Sequence, residues 1–196
     1  VTLLASDRLA AHFTAGELTR DGATLGAFLA DVTPLVASNL GQTAAALEQI
    51  RAVLGVPMRI TSGFRPPEKN AAVGGAVTSN HMDGLAADFI PVGLSQYRAY
   101  KLLLASPVPA WDQIIYYPIQ GHIHLGIGPR MRRETRIQLF ADPGGTPLLS
   151  VGLVERLQGY AATLADVADD VTTGSNLWGI ALVGMILLLI LLTSRR

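Results

Sequence analysis

The chain has 196 residues, and its 15 Lys+Arg are balanced by 15 Asp+Glu. That length holds one domain of ordinary size with a segment left over, and neutrality excludes a nucleic-acid binder that works by bulk charge. With no cysteine, disulfides and thiolate metal sites are excluded, so a metal has only histidine and carboxylate to bind.

Residues 1–11 lack the basic stretch and apolar run of a secretory signal. Thr14-Ala15-Gly16-Glu17 has the form of a capping box and predicts a short helix from about Thr14. From Val32 to Leu54 the pattern is helical. Leu40, Leu47, Ile50 and Leu54 share one face, Glu48 and Arg51 lie on the other, Pro34 suits the start and Gly55 the stop. Residues 57–61 then predict a short strand.

Pro66 and Pro67 stiffen the chain and push Arg65 toward an extended conformation. A guanidinium held still there suits a carboxylate or a developing oxyanion. Residues 70–78 are a small-residue stretch leading to Ser79. Leu85 to Ile90 reads as a strand in which Asp88 stands among apolar residues. A carboxylate so placed needs a metal, a cation or several donors. Residues 96–105 predict a helix, 111–117 a strand and 122–127 another. Residues two apart on a strand share a face, so His122 and His124 can look into one site.

Three of the four histidines lie in 79–89 and 121–125. Zn²⁺ takes imidazole nitrogen and carboxylate oxygen where no thiolate is offered, and a catalytic site uses three protein ligands with one position open. His81, Asp88 and one histidine of the pair His122 and His124 make such a set.

Arg130, Arg132, Arg133 and Arg136 read as a solvated face, or as a contact for anionic cell-wall polymer or lipid headgroups. Asp142-Pro143-Gly144-Gly145 punctuates the chain. The expected organisation is a metal-bearing domain over 1–141, a linker with an amphipathic helix over 142–176, and a transmembrane helix over 177–194. Residues 177–192 carry no charge. As a helix they would span about 24 Å at ~1.5 Å per residue, slightly short of a ~30 Å hydrocarbon core. Arg195 and Arg196 can snorkel, and Trp178 suits the opposite interface. Positive-inside reasoning puts the two arginines in the cytoplasm and the domain outside.

The stretches HFTAGELT (12–19), RITSGFRPPEKNAAVGGAVTSNHMDGLAADF (59–89) and WDQIIYYPIQGHIHLGI (111–127) carry a resemblance. Over about residues 12–130 the chain resembles the zinc D-alanyl-D-alanine carboxypeptidase and L-alanyl-D-glutamate peptidase family. That family belongs to the group named for lysostaphin, D-Ala-D-Ala peptidases and hedgehog domains. The resemblance implies a small α+β fold whose antiparallel sheet carries zinc on His81, Asp88 and His124. It implies that Arg65 and Ser79 contact the substrate or transition state, and that the substrate is a peptidoglycan stem peptide. Many members carry a glutamate base shortly before the last histidine ligand. Here no Glu lies between Glu68 and Glu134, and Tyr116-Tyr117 stands in its place. Other members use an H-x-H pair whose first histidine does the proton chemistry, a part that His122 fits. Asp112 is the alternative base. Relatives are common in bacteriophage lysins and virion proteins as well as in bacterial cell-wall enzymes. A membrane-anchored peptidase is thus the first expectation. A non-catalytic peptidoglycan-binding or virion membrane protein is the second.

Overall fold

A computed structural model describes residues 3–106, 111–118 and 120–138, all within a compact unit spanning Val1–Gly145. Helix α1 (Ala15–Leu18) is closed by the expected capping box: Thr14 accepts from the Glu17 amide, and Glu17 reaches back to the Thr14 amide. Helix α2 (Pro34–Leu54) starts on Thr33, with Pro34 in its first turn, and stops at Gly55 in the left-handed region. Its buried stripe runs through Leu40, Leu47, Ile50 and Leu54. The polar face is not simply solvated: Glu48 accepts from the His12 amide, and Arg51 donates to the Val56 carbonyl.

Strand β1 (Met58–Ser62) leads into helix α3 (Pro67–Ala72). Strand β2 (Ala86–Pro91), helix α4 (Gln96–Ala105), and strands β3 (Gln113–Tyr117), β4 (His122–Gly126) and β5 (Glu134–Ile137) follow. The strands form one sheet in the order β1-β2-β4-β3-β5. Alternation separates its faces. Phe89, Ile123, Leu125, Ile114 and Ile137 are buried in the core, which also takes Leu40 and Leu47 of α2 and Leu103 of α4. Asp88, His122, His124, Ile115, Tyr117, Glu134 and Arg136 line a cleft on the other face.

Three expectations are corrected. The sheet is mixed: β1, β2, β4 and β3 pair antiparallel, but β5 runs parallel to β3. The reason is the route of the chain. Strand β4 ends beside Gln113, at the start of β3, and a turn over that end lays β5 outside β3, pointing the same way. Strand β5 is unexpected, because its four residues sit at the end of an arginine cluster that reads as a solvated face. Helix α3 also takes in residues 70–72, the start of the small-residue stretch for which the sequence predicts no element. Among the described residues no helix is long and apolar enough to cross a membrane. The domain end near 141, the linker helix of 142–176 and the transmembrane segment of 177–194 lie outside the described residues.

Candidate metal centre

Three elements deliver the histidines and the carboxylate. His81 lies in a turn between α3 and β2, ended by Gly84 at φ +70°. Helix α2 holds that turn: Asn39 donates to the Asp83 carbonyl at 2.8 Å and Thr43 to the Gly84 carbonyl at 2.7 Å. A side chain at Gly84 would meet both a strained backbone and Val36 and Leu40 of α2. The His81 ring is 2 % exposed, and its Nδ1 lies 2.6 Å from the Gly63 carbonyl. Donation there puts the proton on Nδ1 and leaves the Nε2 lone pair for the site. Asp88 and His124 are direct partners across β2 and β4.

The donor atoms converge. His81 Nε2 lies 3.2 Å from His124 Nδ1 and 3.3 Å from Asp88 Oδ1, and His124 Nδ1 lies 2.8 Å from Asp88 Oδ1. Zinc bonds of about 2.0–2.1 Å in a tetrahedron put neighbouring ligand atoms roughly 3.3 Å apart. The triangle of buried donors therefore fits a zinc ion, with two neutral imidazoles and one carboxylate. Its electrostatics agree. Burial would raise the Asp88 pKa, yet His81 and His124 beside it hold it well below the usual carboxylate range. Burial lowers the His124 pKa against the pull of Asp88, which favours the neutral ring that a metal requires.

His122 stands at the lip. Its Nε2 is 4.0 Å from Asp88 Oδ1, outside the triangle. Its ring stacks on Tyr117 at 4.8 Å and 27°. Burial lowers its pKa, with Asp88 opposing. Arg65 and Ser79 also line the cleft, whose volume is about 510 Å³. The Ser79 hydroxyl accepts from the His81 amide at 3.3 Å, so it also braces the turn that carries the first donor.

Asp112 does not join them. It is 0 % exposed and accepts from Arg132 through the amide at 2.8 Å, Nε at 3.0 Å and Nη2 at 2.6 Å, and from Asn80 at 3.2 Å. The hydrogen bonds from Arg132 hold its carboxyl far below the usual range. An acid so engaged is a poor proton acceptor, so the reading of Asp112 as a base is corrected to a structural clamp. It joins the loop of Asn80 to the turn before β5, where Met131 (φ 46°) and Arg133 (φ 54°) take left-handed conformations unusual for such residues. Gly126 and Gly128 leave room for the Asn80 amide, which a Cβ at either would crowd.

Tyr117, Gln113 and Glu134 also line the cleft, and the sequence does not point to them. Alternation along β3 would have placed Tyr117 beside the site. Arg130, Arg132 and Arg136 of the basic cluster line it as well, although the cluster reads from the sequence as a solvated face or a contact for anionic polymer or lipid. Glu134 accepts from Gln113 at 2.7 Å and lies 3.4 Å from both Arg132 and Arg136. Burial, and next Asp88, raise the Tyr117 pKa, so its hydroxyl is a neutral donor near neutral pH.

No curated protein matches the chain. The profile of the peptidase M15 family matches residues 11–126, a span that holds His81, Asp88 and His124 together with Arg65, Ser79 and His122. With more than half of its length matched by that profile, and with buried donors that fit zinc, the chain belongs to the peptidase M15 family.

Proposed function

We propose that the chain is a zinc peptidase that hydrolyses peptide bonds in peptidoglycan stem peptides, as a D-Ala-D-Ala carboxypeptidase or an endopeptidase. The observation that carries this is the triangle of His81, Asp88 and His124 at the floor of a cleft with His122 at its lip. Zinc held by the three donors would supply Lewis acidity that polarises the scissile carbonyl and lowers the pKa of water toward ~7. The protein's own groups do the rest. His122 Nε2 takes the proton of the attacking water and passes it to the leaving amine, a role worth roughly 10²–10⁴ in rate. Tyr117, stacked on its ring, keeps the imidazole in that pose. Arg65, stiffened by Pro66, offers its guanidinium to the negative charge that develops on the carbonyl oxygen. Ser79 and Arg65 border the substrate.

The anchor belongs to the same proposal. The uncharged run of 177–192, followed by Arg195 and Arg196, would hold the peptidase at a bilayer, cellular or virion, with the domain facing the wall.

A binding module that keeps zinc without turnover is the second reading. Among the described residues the cleft has two carboxylates. Asp88 is a metal donor, and Glu134 is already engaged by Gln113, Arg132 and Arg136. No carboxylate is left for the base. Digestion of purified cell wall separates the readings. The peptidase releases peptide fragments or alanine, loses that activity to a chelator and regains it with zinc, and mass spectrometry of the products names the bond. Zinc-loaded protein that binds wall and releases nothing would sink the peptidase reading.

A further inference from the structure

Strand β3 opens on Gln113, whose partners across the sheet are Gly126 of β4 and Glu134 of β5. Gly126 stands two residues beyond His124, so the two share the face of the strand that looks into the cleft. Having no Cβ, Gly126 leaves a gap over that face, and three polar atoms border it. A Cβ at Gly126 would lie 2.9 Å from Asn80 Nδ2, 3.4 Å from Gln113 Oε1 and 3.4 Å from His124 Nε2. The nitrogen that His124 turns to the other donors is Nδ1. Once Nδ1 gives its lone pair to a metal, the ring proton sits on Nε2, and an acceptor for that N–H fixes the ring of a ligating imidazole. Asn80 brings a donor to the gap, one that also bonds Asp112. Gln113 brings a carbonyl oxygen. Glu134 decides which end of the Gln113 amide faces the ring. The Gln113 Nε2 donates to Glu134 Oε2 at 2.7 Å, and a carboxylate only accepts, so Oε1 is the end turned toward Gly126 and His124. Glu134 is in turn held 3.4 Å from both Arg132 and Arg136. The amide is thus oriented before any metal arrives.

We propose that Gln113 is a positioning residue for the metal centre. Its Oε1 accepts from His124 Nε2–H, directly or through one water in the gap over Gly126, and so fixes the ring that offers Nδ1 to the metal. Glu134 acts one step further out, by orienting the amide. The inference rests on the zinc reading of the site and deepens it, and it holds whichever peptide bond is cut.

The test uses full-length protein and two readouts other than activity. Zinc affinity is measured by competition with a chelator, and the His124 Nε2–H signal is followed by NMR in zinc-loaded protein labelled with ¹⁵N-histidine. Gln113→Met keeps the length of the side chain and removes the acceptor. Zinc affinity should fall by about 10–100-fold, and the Nε2–H signal, slow to exchange with water in the wild type, should shift and exchange faster. Gln113→Glu combined with Glu134→Gln exchanges the two ends of the bridge and keeps an acceptor toward His124, so it should recover most of the affinity and the slow exchange. The melting point of the zinc-free protein checks that each variant folds. If Gln113→Met does not fold, the wild-type signal and the exchanged pair decide. A wild-type Nε2–H that exchanges as fast as an exposed imidazole overturns the proposal. So does a Gln113→Met protein that binds zinc as tightly as the wild type, and in both cases the zinc reading stands. Weaker zinc binding with the Nε2–H signal unmoved also overturns it, since Gln113 then only ties β3 to β5. A wild type that binds no zinc overturns the positioning role and the zinc reading together.

Discussion

Asp112→Asn tests whether the buried aspartate is a clamp or a base. The carboxylate is fully buried and takes four donors, three from Arg132 and one from Asn80. An asparagine keeps one acceptor oxygen. Its NH₂ then faces donors where the second oxygen stood. Arg132, 38 % exposed, can turn to water, so the loss of that charged pair is largely screened. The buried Asn80 amide has no such escape. One discounted ionic bond and one orphaned buried donor come to about 2–3 kcal/mol. For a domain of this size that is a fall of roughly 8–12 °C in melting point, measured by calorimetry at neutral pH. The sign with pH follows from the depressed carboxyl. Its stabilisation is fully present above the unfolded value of ~3.9 and is lost as pH falls toward the lower folded value. The gap between wild type and variant should therefore hold at neutral pH and narrow below about pH 4, and zinc release, common to both, cancels in the difference. The clamp also steadies the turn before β5, so KM should rise more than kcat falls. A melting point within ~2 °C of wild type, together with a loss of roughly 10²–10⁴ in kcat at full zinc, would refute the clamp and restore Asp112 as the base.

His81→Ala should lose zinc and melt lower, since a metal bound only to the folded state adds to its stability; full zinc by elemental analysis in that variant would remove His81 from the ligand set. His122→Ala should keep one zinc while hydrolysis falls by about 10²–10⁴. Loss of zinc in that variant would make His122 a ligand instead. Truncation after Asn176 should give protein soluble without detergent, while the full chain enters the detergent phase; a full chain that is monomeric in plain buffer ends the anchor proposal.

The sequence by itself determined the local devices. The capping box at Thr14 and Glu17, the Pro34 start and Gly55 stop of α2, and the existence of strands β2 and β4 are set by neighbours a few residues apart, and each stands in the structure. The same is true of the donor residues as a group. A lone aspartate in an apolar strand and an H-x-H pair announce a site, because burying those groups without a partner is too costly to be incidental. Tertiary structure decided what the residues do to one another. His124 completes the triangle and His122 stays at the lip because β2 pairs Asp88 with His124, a register no spacing along the chain reveals. Asp112 pairs with Arg132 rather than joining the donor triangle because the turn after β4 doubles back over the start of β3. That turn also converts an arginine-rich stretch into a cleft wall. A strand of four residues at a sheet edge takes its identity from the neighbour it pairs with, and its own pattern of charges could not show which neighbour that would be.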